Sequence, residues 1–286
     1  MKITSILIFS LLCLSAHAAD QTRIAVGEAR VKKSVVAYPD TNGGDSGEFK
    51  GFTRTVREVV NSDLIFTNLF AMQSSAAFLE KPGAGLTLDT FKISDWTTIG
   101  TEFLIKTGVA FAGDSVAMEV RVFNVNAAKQ AFGKRYIAKM NEPKILAHTM
   151  ANDIVESLTG KPGIFFSKIA MVCDKSGTKE IWQTDFDGSN PKQITNHRTL
   201  SFAPAWSLDN RKIAYSTYMR NGKNIKNIDL YEMDIASRKA RLLSNRRGIN
   251  SGASYSPDGK HLALTMSFLG NPEVFLLDLS SLEVSR

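Results

Sequence analysis

The apolar positions of the chain follow two different rhythms, one in each half. In the first half, Ser34-Val35-Val36-Ala37-Tyr38 reads as a strand stopped by Pro39, and Asn42 to Gly47 reads as a loop. Phe52, Val56, Val59 and Val60 then recur at helical spacing, which predicts a helix with one apolar face. Leu64-Ile65-Phe66-Thr67 reads as a short strand, Pro82 to Gly85 as a loop, and Phe91 to Trp96 as the approach to a short helix. Phe103–Phe111 and Val116–Phe123 predict a hairpin around Ala112-Gly113-Asp114-Ser115. In its second strand Val116, Met118, Val120 and Val122 alternate with Ala117, Glu119 and Arg121, so one face is buried and the other wet. Gln130 to Met140 extends the sheet. A closing helix starts near Asn141-Glu142-Pro143, carries the stripe Leu146, Met150, Ile154 and Leu158, and stops at Gly160. These elements predict an α/β domain over residues 32–162.

The second half repeats itself. Lys168-Ile169-Ala170-Met171 recurs as Lys212-Ile213-Ala214-Tyr215 and as His261-Leu262-Ala263-Leu264, at offsets of 44 and 49. Ile181-Trp182-Gln183-Thr184-Asp185 recurs as Leu230 to Asp234 and Val274 to Asp278, at offsets of 49 and 44, which locates a five-residue insertion around Asn221-Gly222-Lys223-Asn224. Short alternating strands in a repeat of this length predict β-propeller blades over residues 163–286. The turns agree: Trp206-Ser207-Leu208-Asp209-Asn210 and Tyr255-Ser256-Pro257-Asp258-Gly259 each end on a residue that tolerates left-handed backbone. Asp185-Phe186-Asp187-Gly188-Ser189-Asn190 reads as a hairpin turn; a calcium loop is the alternative, but it lacks the later bidentate Glu.

Residues 1–18 read as a secretory signal peptide: Lys2, an apolar core from Ile3 to Leu14, and the small-x-small site Ala16-His17-Ala18. The run is too short for a permanent membrane span, and Leu12 before Cys13 argues against lipid attachment there. Residues 19–31 follow as an extended segment with one alternating patch, Arg23-Ile24-Ala25-Val26, which reads as a frayed end or as a strand added to a partner's sheet. Beyond the leader, Cys173 is the remaining thiol, so the exported chain has no internal disulfide. Residues 1–160 hold 17 Lys/Arg and 16 Asp/Glu, residues 161–286 hold 18 and 12. Arg238, Lys239, Arg241, Arg246 and Arg247 therefore form either a face for an acidic partner or solvated strand ends.

Candidate catalytic chemistry is sparse. Gly44-Asp45-Ser46-Gly47 matches part of a serine-protease nucleophile motif, but His148, His197 and His261 stand in no triad context. The chain has no Gly-x-Ser-x-Gly, no His-Glu-x-x-His and no phosphate-binding Gly-x-x-x-x-Gly-Lys, and neither a cofactor nor nucleic acid is expected. What remains is binding. Loops that enter the innermost strands of a propeller ring one mouth of its channel; here these are Leu200-Ser201-Phe202-Ala203-Pro204 and Arg247-Gly248-Ile249-Asn250-Ser251-Gly252. Phe202 and Ile249 either stand exposed for a partner or tuck between blades.

The blade stretches Ala203 to Tyr215 and Ser254 to Ala263 resemble the repeat of the TolB family of the Tol-Pal envelope system. The junction Ala147-His148-Thr149-Met150-Ala151-Asn152-Asp153-Ile154 through Ala170, and Asp95-Trp96-Thr97-Thr98-Ile99-Gly100, are similar to the same family. The resemblance implies an α/β N-terminal domain followed by a β-propeller of which about three of six blades are present, so the chain reads as C-terminally truncated, ending before the outer strand of a third repeat. It also implies a periplasmic, non-enzymatic adaptor, monomeric at full length, that supports outer-membrane integrity, cell division and the uptake of macromolecules such as colicins. In that family the propeller mouth takes the Pal lipoprotein, a role carried onto Ser201, Phe202, Ala203, Pro204, Ile249, Asn250, Ser251 and Gly252. The N-terminal segment takes the periplasmic domain of TolA, a role carried onto Gln21, Thr22, Arg23, Ile24, Ala25, Val26 and Gly27. The propeller of an exported peptidase, with its hydrolase domain elsewhere, and a ligand-sensing propeller are the competing readings.

Overall fold

The computed structural model describes residues 32–44, 47–81, 83–218 and 227–286. The leader, the segment Gln21 to Gly27, the Asp45-Ser46 pair and the insertion at Asn221 to Asn224 lie outside the described residues. Among the described residues no helix is long and apolar enough to cross a membrane.

The α/β part runs β1 (Ser34–Ala37), α1 (Gly47–Phe66), β2 (Phe70–Met72), a single 3-10 turn at Ser75–Ala77, α2 (Ile93–Thr98), β3 (Phe103–Ala112), β4 (Ser115–Asn124), β5 (Lys129–Lys139) and α3 (Pro143–Thr159). The strands form one sheet in the order β2-β1-β3-β4-β5, with β1 parallel to both neighbours and the rest antiparallel. Phe52, Val56, Val60 and Leu64 of α1 and Leu146, Met150 and Ile154 of α3 bury one apolar stripe each against Val116, Met118, Val120 and Val122 of β4. Trp96, Phe91, Leu104 and Phe123 build a second, smaller core. Pro143 occupies the first turn of α3, and Gly160 caps its end at φ 74°, its N–H reaching the Glu156 carbonyl at 2.8 Å.

One element differs from its sequence reading. Leu64 to Phe66 are the last turn of α1, not a strand, and the strand comes later as β2. The residue types favour a strand locally, but Leu64 lies four residues after Val60 and is fully buried on the same stripe. Packing on the sheet therefore outweighs local propensity.

The repeats fold into three antiparallel sheets. The first is β6 (Lys168–Cys173), β7 (Glu180–Asp185) and β8 (Lys192–Gln193); the second β9 (Ser201–Trp206), β10 (Lys212–Thr217), β11 (Asp229–Asp234) and β12 (Ala240–Ser244); the third β13 (Asn250–Tyr255), β14 (His261–Met266), β15 (Glu273–Asp278) and β16 (Val284–Ser285). Val284 pairs with Leu277, so the third sheet does contain an outer strand, contrary to the reading that the chain stops before it. The middle sheet is covered on both faces: Ile213, Ala214 and Tyr215 are consecutive and all buried. On β15 burial alternates, with Phe275 and Leu277 inside and Val274 and Leu276 exposed, the pattern of a sheet covered on one face.

Three of the arginines expected to be solvated or to form an anionic-partner face instead tie neighbouring blades. Arg238 donates to the carbonyls of Ile194 and Gln193 at 2.9 and 3.0 Å. Arg241 spans Glu232 (3.1 Å) and the Leu279 carbonyl (3.3 Å), and Arg246 stacks its guanidinium on Phe268. The Asp185–Asn190 turn uses its carboxylates internally: Asp185 binds Lys168 and accepts from Asn190 Nδ2, and Asp187 accepts from the Ser189 N–H. These bonds hold the turn closed, as the hairpin reading expects.

Both complete innermost strands carry the same bulge. The register of β9 on β10 shifts between Ala214 and Ser216, and that of β13 on β14 between Ser251 and Ser254. The first bulged residue is left-handed in each case, Ala203 at φ 50° and Gly252 at φ 69°. Glycine suits this position and alanine is strained there. Ala203→Gly is expected to raise stability by about 0.5 kcal/mol after the flexibility it adds to the unfolded chain, and Gly252→Ala to lower it by about 1–2 kcal/mol, both read from urea unfolding midpoints.

Candidate functional site

Strands β9 and β13 begin, and β10 and β14 end, at the same end of the blades, and a buried polar frame holds this end together. Glu180, at the head of β7, is fully buried. Its Oε2 accepts from Thr195 Oγ1 at 2.6 Å and Ser201 Oγ at 3.1 Å, and its Oε1 accepts from the Arg198 N–H at 2.7 Å. At the next blade boundary, Asn250 at the head of β13 is equally buried: Nδ2 donates to the Ile228 and Arg246 carbonyls at 2.9 and 2.6 Å, and Oδ1 accepts from Ser244 Oγ at 2.7 Å. Asp229 occupies the same place in the second blade as Glu180 in the first. Its Oδ1 is buried with no partner, and burial pushes its carboxyl above the usual range, with Asn227 offsetting this in part.

The mouth residues expected from sequence divide into two groups on this frame. Ser201 and Asn250 are buried structural members; their side chains already bond within the blades, so they offer nothing to a partner. Phe202, Ala203, Pro204 and Ser251 sit half-buried on the strands themselves rather than in loops, and Gly252 is exposed at the bulge. Phe202 lies beside Tyr218, ring centroids 6.3 Å apart. Ile249, half-buried just before β13, has its N–H held to Ser267 Oγ at 2.8 Å. Neither of the two apolar side chains is fully exposed, and neither is fully tucked away.

Of the residues that do stand clear, sequence reasoning named Arg247, in the mouth loop and among the basic residues, but missed Arg198. Arg198 and Arg247 are exposed and occupy equivalent places in the turns before β9 and β13. The signal was present: Asn196-His197-Arg198 and Asn245-Arg246-Arg247 share the offset of 49 found elsewhere in the repeat. Glu180 fixes the Arg198 backbone from below, so its guanidinium projects from an anchored turn. Next to Arg198 in the chain, His197 stacks on Tyr215, with Nε2 2.9 Å from the phenol oxygen. Burial lowers the His197 pKa and raises that of Tyr215, which leaves a neutral pair suited to holding the turn rather than to moving protons. The chemistry on offer is two cations beside half-buried apolar side chains, a composition typical of protein-docking surfaces.

Comparison with known proteins places this geometry. The TolB amino-terminal domain family matches residues 22–131, and the TolB beta propeller domain family matches residues 155–286. The Tol-Pal system protein TolB of Desulfosudis oleivorans is 34% identical over 99% of this chain and 64% of its own length. A TolB homolog of Chlorobium chlorochromatii is 31% identical over 91% of this chain and 57% of its own length. The crystal structure of TolB from Acinetobacter baumannii superimposes with a TM-score of 0.72 at 24% identity, covering 89% of this chain and 60% of that one. The chain thus spans about 60% of the length of these relatives. Two adjoining family matches, in the order in which the α/β domain and the blades fold, assign the chain to the TolB family.

Proposed function

We propose that this protein is a docking component of a Tol-Pal system that acts in the periplasm and binds proteins rather than transforming substrates. In this reading the blade mouth receives the Pal lipoprotein, and the segment from Gln21 to Gly27 is captured by the periplasmic domain of TolA. Relatives named as Tol-Pal proteins support the system, but the observation that carries the docking role is the mouth itself. Arg198 and Arg247 stand exposed beside Phe202 and Ile249, on a frame in which Glu180 and Asn250 are fully hydrogen-bonded. Exposed cations next to partly covered apolar groups are what a partner's acidic, apolar surface recognises.

Two variants of this chain test the assignment, with Pal and the TolA domain as separate titrants in a calorimeter. Ile249→Asp is expected to weaken Pal binding by tenfold or more, because a buried charge at the centre of an interface finds no partner. Deleting residues 20–27 is expected to abolish TolA binding and leave Pal affinity unchanged. Unaltered Pal affinity in Ile249→Asp removes the mouth from the interface, and retained TolA binding in the deletion removes the segment.

A further inference from the structure

The α/β sheet ends on a long strand whose outer side is unpaired among the described residues. β5 is the last strand in the order β2-β1-β3-β4-β5, and it runs for 11 residues where β2, at the other edge, has 3. Phe132 to Lys139 pair with Val122 to Ser115 of β4 without a shift in register. The outer side therefore presents an unbroken row of backbone N–H and C=O groups, a template for one more strand. Even-numbered positions face α3: Phe132, Tyr136 and Ala138 join the main core, and Tyr136 and Lys134 share Asp153 at 2.8 and 2.6 Å. The odd-numbered positions Gly133, Arg135, Ile137 and Lys139 are all exposed.

Side chains on that exposed face select the partner. β5 holds Lys129, Lys134, Arg135 and Lys139 and no acidic residue. Glu119 stands opposite Arg135 in register, but Arg121 holds it through Nε at 2.7 Å and Nη2 at 2.6 Å. Arg135 and Lys139 are left without an ion pair among the described residues. Ile137 lies between them at 70% exposure, and no large apolar side chain among the described residues is more open. Lysines on an edge strand repel a second copy, because edge-to-edge pairing sets cation against cation. A guard of that kind has no use for a bare isoleucine between its charges. A strand of opposite charge gains at all three positions.

We propose that the outer edge of β5 takes up an extended segment of a protein partner, with acidic, apolar and acidic side chains at alternate positions facing Arg135, Ile137 and Lys139. The surface uses no residue of the blade mouth. The test is calorimetric titration of the chain at low salt with the end-blocked peptide Thr-Glu-Thr-Val-Thr-Glu-Thr. A second peptide has the same composition with its glutamates adjacent, and inorganic polyphosphate is the polyanion probe. The alternating peptide is expected to bind, to protect β5 amides from hydrogen exchange, and to weaken as salt rises. Arg135→Glu is expected to weaken it about fivefold to tenfold and Ile137→Thr about threefold. Both side chains are exposed, so the variants keep the fold. Equal binding of the adjacent-glutamate peptide, or tighter binding of polyphosphate, reduces the edge to unspecific charge attraction and overturns the proposal. So does binding that neither variant changes, or no heat from the alternating peptide at millimolar concentration.

Discussion

Glu180→Ala is expected to lower stability by about 3 kcal/mol or more and to weaken partner binding at the mouth in the same variant. The carboxylate is completely buried and accepts from Thr195, Ser201 and the Arg198 N–H. Truncation leaves those donors in a dry site, and Thr195 also supplies the acceptor for the Ile181 N–H at 2.8 Å. Hydrogen bonds to a charged group are worth roughly 1.5–3 kcal/mol each, and the loss is concentrated where the first and second blades meet. Arg198 loses the anchor beneath its backbone, so its cation no longer projects from a fixed turn. Asp229→Asn is the matched control. It changes the same position one blade on, where burial raises the carboxyl and Oδ1 has no partner, so neutralising it is expected to be neutral or stabilising. Urea unfolding of both variants decides the point: equal small changes would mean that the Glu180 network carries no particular weight.

That contrast bears on how much could be read from the residues alone. The blades were legible because a strand, its turn and its aromatic end recur together, and register follows once the offsets are known. Whether an acidic residue at a repeated position is satisfied was not legible: Glu180 and Asp229 align, yet their donors come from Thr195, Arg198 and Ser201 in one blade and have no full counterpart in the next. Ser201 to Pro204 read as loop, because Pro204 interrupts the apolar run, whereas they open β9. In the fold Pro204 sits in a bulge opposite Tyr215, where its missing N–H breaks no ladder bond. Leu64 to Phe66 were misread because short apolar runs fit a strand or a helix equally well until the sheet beneath them is known.

The second large effect is expected at the joint between the α/β domain and the first blade. Asp63 near the end of α1, 2% exposed, receives His148 of α3 at 2.8 Å between Oδ2 and Nδ1. Phe186, from the turn after β7, packs edge-on against His148 and Phe66, at 5.4 and 5.5 Å, and tilted against Phe165 at 5.4 Å. A blade residue therefore closes the buried acid–imidazole pair from outside. His148→Leu keeps the packing volume but strips Asp63 of its partner, and about 3–5 kcal/mol of stability should be lost. Removing both polar groups, with Asp63→Leu added, should recover most of it, because a pair replaced by apolar groups leaves no charge behind. The pH dependence gives an independent reading. Burial raises the Asp63 carboxyl above its usual value, with the His148 bond opposing. A folded-state pKa above the unfolded one means that the folded protein binds more protons in the window between them. Stability tied to Asp63 is therefore complete below the unfolded value and lost as pH rises through the folded one. Urea unfolding across the mildly acidic range should show this decline in the wild type, a wider window toward neutral pH in His148→Leu, and a flat response in Asp63→Asn. A wild-type slope that survives Asp63→Asn would assign the titration to another carboxylate and leave the His148–Asp63 pair as packing alone.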